Sequence, residues 1–154
     1  MKFLYCLRVF FISYEFAFLL FGLAIYIYFG EILHNTFMRI PTVEGAKNVL
    51  ICIQIGLLVY NFKDGMSIIL PDDHTSKVLR AWPDFWKLEM HFNVGLFNTV
   101  IFFLPCLFVW LMGFLNEFEG VWIFLIFTIA ASINTLSFYY AKINVRSALI
   151  RSNF

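Results

Sequence analysis

The chain has 154 residues, of which 62% are apolar, 21% aromatic and 14% charged, with 21 phenylalanines and a formal net charge of +1. A soluble domain of this length ordinarily carries about a quarter of its residues as Asp, Glu, Lys and Arg, so water is excluded as the solvent for most of this surface and hydrocarbon is the better match. Eleven basic against ten acidic residues leave no global field for nucleic acid, and Cys6, Cys52 and Cys106, with no CxxC spacing among them, indicate neither a disulfide framework nor a zinc site.

After Lys2 and Arg8, residues 9–29 form an apolar run long enough to span a bilayer, with no small-x-small cleavage site behind it. It is expected to be a retained first transmembrane helix. Glu15 falls inside this run, and a carboxylate at membrane depth costs several kcal/mol unless it is protonated, paired or facing water. Two readings stand side by side: structural glue to His91, Asn93, Lys142 or Arg8, and a proton-coupled role. A single carboxylate with no second one at matching depth does not by itself make a relay.

An outer loop, 30–47, contains Pro41 and Gly45 and reads as an ordered turn region. The second apolar segment, 48–62, has only 15 residues between Lys47 and Lys63, so it spans only if those lysines snorkel or the bilayer thins. It carries Gln54 and Gly56.

Residues 63–90 form the one sizeable polar region. Asp72 or Asp73 can cap a short amphipathic helix that presents Val78, Leu79 and Trp82 on one side and Lys77 and Arg80 near the other. Trp82 and Trp86 sit where an interfacial aromatic belt would place them, so the segment is expected to lie along the membrane surface. Asp72, Asp73 and His74 are contiguous, which is no recognised metal-ligand spacing, and a cap explains the aspartates. Haem would need two histidines at one depth, and of His34, His74 and His91 only the last lies near an apolar helix. No metal or cofactor is expected. GxSxG, HExxH, P-loop and dinucleotide fingerprints are missing from the sequence, so no enzymatic activity is expected.

The third and fourth apolar segments, 92–115 and 121–141, are joined by a short link and must form an antiparallel hairpin. The third carries Gly95, Asn98 and Thr99. The fourth carries Thr128, Ala131, Ser132 and Thr135 at helical spacings, with Asn134 beside them, a face where another helix can approach closely. That face fits packing inside one bundle, or a homo-oligomer around a narrow polar pore. Lys142, Arg146 and Arg151 then anchor the C-terminal end at anionic lipid.

Charge placement sets the topology. Lys2, Arg8, Lys63, Lys77, Arg80, Lys87, Lys142, Arg146 and Arg151 fall on one side, against Arg39 and Lys47 on the other, if all four segments span. The expected fold is an all-α membrane protein, a four-transmembrane-helix bundle with a short amphipathic cytoplasmic segment between helices two and three. Both termini would be cytoplasmic, in a membrane of the bacterial inner type. Gln54, Asn98 and Asn134 exceed what one seam among four helices would need, so a homo-oligomer is expected. The expected function is non-enzymatic: an oligomeric membrane sensor or pore, or the anchor of a cytoplasmic protein docked on residues 63–90, of the immunity, exclusion or defence type. The alternative is a small transporter or proton-coupled accessory subunit using Glu15. A membrane enzyme or redox subunit acting through Glu89 and His91 is the third class.

Overall fold

The computed structural model describes residue 9 and residues 13–37, 44–69 and 85–152, and among them the chain is helical with one tight connection. Four helices, α1 (Tyr14–Phe37), α2 (Glu44–Ile69), α3 (Phe85–Leu111) and α4 (Phe118–Ser152), are each long and apolar enough to cross a membrane.

Each helix departs from the apolar run that announces it. Ser13 caps α1, its hydroxyl accepting the Phe16 amide at 3.2 Å, so Glu15 lies in the first turn and not deep within the helix. There the unpaired amides and the positive end of the helix dipole favour a carboxylate. The helix then continues past residue 29 to Phe37. The segment expected to be short, 48–62, is the middle of a 26-residue helix. Lys63, Asp64 and Gly65, read from sequence as the opening of a polar loop, extend that helix, and residues 85–90 at the other end of the expected loop belong to α3. Helix α4 likewise runs well past residue 141. Hydropathy marks where hydrocarbon ends, whereas a helix ends where its hydrogen bonding is broken or capped, and polar residues beyond the hydrocarbon do neither. Asp72, Asp73, His74, Lys77, Arg80 and Trp82, the core of the expected amphipathic segment, lie outside the described residues; Trp86 is half-buried at the start of α3.

Helix α3 ends at Leu111 and not at 115. Gly113 adopts φ 74°, a left-handed conformation open to glycine at little cost. A 3-10 turn, Phe114–Asn116, follows, and Gly120 lets the first turn of α4 sit against the Phe114 carbonyl, where a Cβ would collide. The hairpin expected of α3 and α4 is thereby made.

Helix α4 packs against all three others, α2 also packs on α3, and the main neighbour of α1 is α4. The helices alternate in direction, with Glu15, Asp64, His91 and Lys142 at one end and Phe37, Lys47, Gly113 and Phe118 at the other. Three of them present a regular seam. Lys47, Leu50, Gln54, Leu57, Asn61 and Asp64 on α2, Phe92, Gly95, Thr99, Phe102, Cys106 and Val109 on α3, and Phe124, Phe127, Ala131, Asn134, Phe138 and Ala141 on α4 all recur at alternating steps of three and four. That period is the one that keeps a stripe of each helix facing its partners along the whole length of a bundle. Phe92, Phe102, Cys106, Phe124, Ala131 and Phe138 are buried along it, while Leu20, Phe21, Ile27, Val59, Leu104 and Leu136 are exposed. Exposed large apolar side chains around buried amides are the arrangement expected of a protein solvated by lipid.

Candidate functional site

The buried polar groups fall into tiers along the seam. Gln54 donates from Nε2 to Thr128 Oγ1 at 2.8 Å and to Cys106 Sγ at 3.2 Å, which links α2, α3 and α4. Two turns on, Asn134 Nδ2 donates to Thr99 Oγ1 at 2.8 Å and to the Gly95 carbonyl at 3.0 Å, and Asn61 Nδ2 reaches the same Thr99 oxygen at 3.2 Å. Next, Lys142 pairs with Asp64 at 2.6 Å. Gly65 and Gly95 make room here for Leu96 and Phe138, whose ring stands 2.8 Å from the place a Gly95 Cβ would take.

These pairings change the reading of several residues. Gln54 and Asn134 are satisfied within one chain, so their polarity does not call for a second copy. Thr128 joins the Gln54 tier and Ala131 is buried core, as expected of a packing face. Ser132 and Thr135 return their hydroxyls to the Thr128 and Ala131 carbonyls of their own helix. Gly56 faces open space, with no atom of the described residues within 4 Å of the place a Cβ would take. Asn61 was not singled out from sequence, although the seven-residue steps from Lys47 to Gln54 and from Gln54 to Asn61 were a usable signal.

Beyond the last tiers, between the start of α1, the start of α3 and α4, lies a cavity of about 660 Å³. Ser13, Glu15, His91, Asn98, Asn134 and Ser137 supply its polar wall, and Leu88, Phe92, Val94 and Phe138 much of its apolar wall. Glu15 is only 6% exposed, and its carboxylate accepts from Ser137 on α4 at 3.3 Å. Lys142, expected from sequence as one partner for Glu15, is engaged by Asp64 instead; Asn93 is exposed, Arg8 lies outside the described residues, and His91 shares the cavity wall. Ser137 was missed because a serine one turn beyond Ile133 on an apolar helix ordinarily bonds its own backbone, as this one also does at 3.1 Å.

Asn98 is 4% exposed, and its side-chain oxygen has no hydrogen-bond partner. An unmatched buried acceptor costs about 1–3 kcal/mol, and this one belongs to a residue of the cavity wall. No Lys or Arg side chain lines the cavity among the described residues, and no group of three or more His, Cys, Asp and Glu there could hold a metal ion. The site is thus a partly open cavity whose wall carries one carboxylate, hydroxyl and amide groups and aromatic residues.

The opposite end of the bundle is built from rings. Phe118 stacks on Tyr26 and Trp122, each at 6.2 Å, and meets His34 at 5.4 Å and Phe37 at 5.9 Å. A smaller cavity of about 310 Å³ lies beside the Lys47 to Asn116 hydrogen bond. Comparison of the chain with protein families, curated proteins and solved structures gives no match, so any functional reading rests on the chemistry of the site itself.

Proposed function

We propose that this is a non-enzymatic membrane protein that works by reversible binding of a small ligand in the Glu15 cavity, as a small transporter or the accessory subunit of one. The observation that carries the reading is the pair of buried, under-used polar groups, Glu15 and Asn98, on the wall of one chamber. Gln54, Thr99 and Asn134 are paired across the seam, whereas Asn61 Oδ1, Asp64 Oδ2 and Trp122 Nε1 are also buried without a partner but belong to residues outside the cavity wall. Polar groups held in a cavity at membrane depth are costly to a fold and useful to a ligand. The charge asymmetry supports cytoplasmic termini, and the cavity then lies toward the cytoplasmic face.

The oligomeric pore and the docking anchor keep their place as readings of the sequence; of the polar side chains that argued for a second copy, Gln54 and Asn134 are engaged inside one bundle and the Asn98 oxygen is not. The experiment is thiol accessibility in native membranes, on a chain whose Cys6, Cys52 and Cys106 are replaced by Ala. A small water-soluble methanethiosulfonate should modify Asn98→Cys through the cavity and leave Ala131→Cys, equally buried in the seam, unmodified. Equal protection of both positions would mean that no solvated chamber exists and would remove this reading.

A further inference from the structure

We propose that the Glu15 cavity selects an organic ammonium ion, an amine or quaternary nitrogen carrying an apolar body; this rests on the preceding reading and adds the class of ligand. Charge is the first argument. Glu15 puts a carboxylate on the wall, and no described Lys or Arg side chain stands there to neutralise it. A buried carboxylate without a cation is strongly unfavourable, so a cationic guest gains what an anion or a neutral guest would not.

Donor count is the second argument. A hard inorganic cation needs six or more oxygens, or at least several held at short range, and the chamber offers Glu15, the Asn98 carbonyl and two serine hydroxyls spread over three helices. An ammonium ion needs less: one carboxylate and one or two further acceptors satisfy a primary amine, and a quaternary nitrogen needs only the charge and aromatic faces. Three aromatic residues, Tyr14, Phe92 and Phe138, belong to the wall. The volume, about 660 Å³, is in the range of small-molecule sites and larger than a dehydrated metal ion can use. Helix α1 also brings Glu15 to the cavity without an ion pair to any described residue, in contrast to Asp64, whose charge Lys142 already meets.

Two sources carry this chemistry, a free amine and the headgroup of an ethanolamine or choline lipid. The test uses the full chain in phosphatidylglycerol nanodiscs and follows its thermal unfolding midpoint with benzyltrimethylammonium as the probe, against neopentylbenzene, the neutral molecule of the same shape. The expected result is a saturable upward shift with the cation, at least tenfold weaker apparent affinity for the neutral compound, and loss of the cation's effect in Glu15→Gln, which itself unfolds near the wild-type midpoint. Nanodiscs containing phosphatidylethanolamine separate the sources: competition with the probe assigns the site to a headgroup, and its absence to a free amine, both within the proposal. Equal stabilisation by the two probes, or an undiminished cation effect in Glu15→Gln, would overturn it. If Glu15→Gln is too poorly folded to measure, Asn98→Leu takes its place with the same expected loss and the same overturning result. With Asn98→Cys reactive and the cation without effect, the cavity stands and the ammonium assignment falls; with Asn98→Cys protected, both fall.

Discussion

The interface between α1 and α4 is made in opposite ways at its two ends. Where α4 begins, Phe118 is covered by Tyr26, His34 and Phe37 of α1, and Gly22 brings the two helices so close that an added methyl would meet Ile126 at 2.8 Å. At the other end, the hydrogen bond between the two helices among the described residues is one hydroxyl on one carboxylate, beside a cavity. Dispersion and shape hold the first end, and both strengthen with every additional atom in contact. The hydrogen bond at the second end is 3.3 Å long, and such a bond between helices in lipid contributes on the order of 0.6 kcal/mol.

The largest expected effect comes from breaking the closed end. Phe118→Ala removes a ring that meets four others and should cost about 3 kcal/mol, at the lower limit for large-to-small changes because lipid and not water takes the vacated surface. Reversible unfolding in mixed micelles measures it, and a loss under about 1 kcal/mol would show that the rings are not what holds α1.

A smaller effect is expected in the seam that both ends share. Asn134→Ala strips a donor from Thr99 and Gly95 and should cost about 1–2 kcal/mol, because it also leaves Thr99 with Asn61 as its remaining side-chain donor. A double-mutant cycle with Thr99→Val should return a coupling of about 1 kcal/mol. Strict additivity would mean that this tier forms no network.

The smallest effect on stability is expected at the open end. Had Glu15 been glue to a partner with no other bond, Glu15→Leu would strand that partner and be worse than Glu15→Gln. The partner proves to be Ser137, which has the Ile133 carbonyl within 3.1 Å as a second acceptor and is left satisfied. Glu15→Leu should therefore change unfolding by less than about 0.5 kcal/mol or stabilise the fold, as removing a buried polar group often does. A loss of function with unchanged or higher stability is the pattern of a site kept for binding. A loss above about 2 kcal/mol would instead make Glu15 structural glue.

Helix content, the number of helices and their alternation were legible in the sequence because each rests on quantities local to a segment: apolar length, the position of charges, a link too short for anything but a hairpin. The buried polar groups Glu15, Gln54, Asn98 and Asn134 were legible for a related reason, since a polar side chain in an apolar helix has few tolerable surroundings. Their partners were not, because pairing depends on which depth two helices share. Asp64 reads as the start of a loop until α2 is seen to carry it alongside Lys142, and that pairing takes from Glu15 the lysine it was expected to have. Residues 63–69 and 85–90 show the same limit at helix ends, where hydropathy stops and hydrogen bonding does not.

By itself, then, the sequence determined a chain of four apolar helices with polar residues at defined places and basic residues gathered at alternate ends. The tertiary structure alone decided which of those polar residues satisfy one another and which are left facing a cavity. The physical reason is that burial and hydrophobicity add up residue by residue along a helix, whereas hydrogen bonds and ion pairs require two groups within about 3 Å. Only the packing of α1 and α2 on α3 and α4 brings Asn61 to Thr99 and Lys142 to Asp64, and places Glu15 and Asn98 on one cavity wall with no described Lys or Arg beside them.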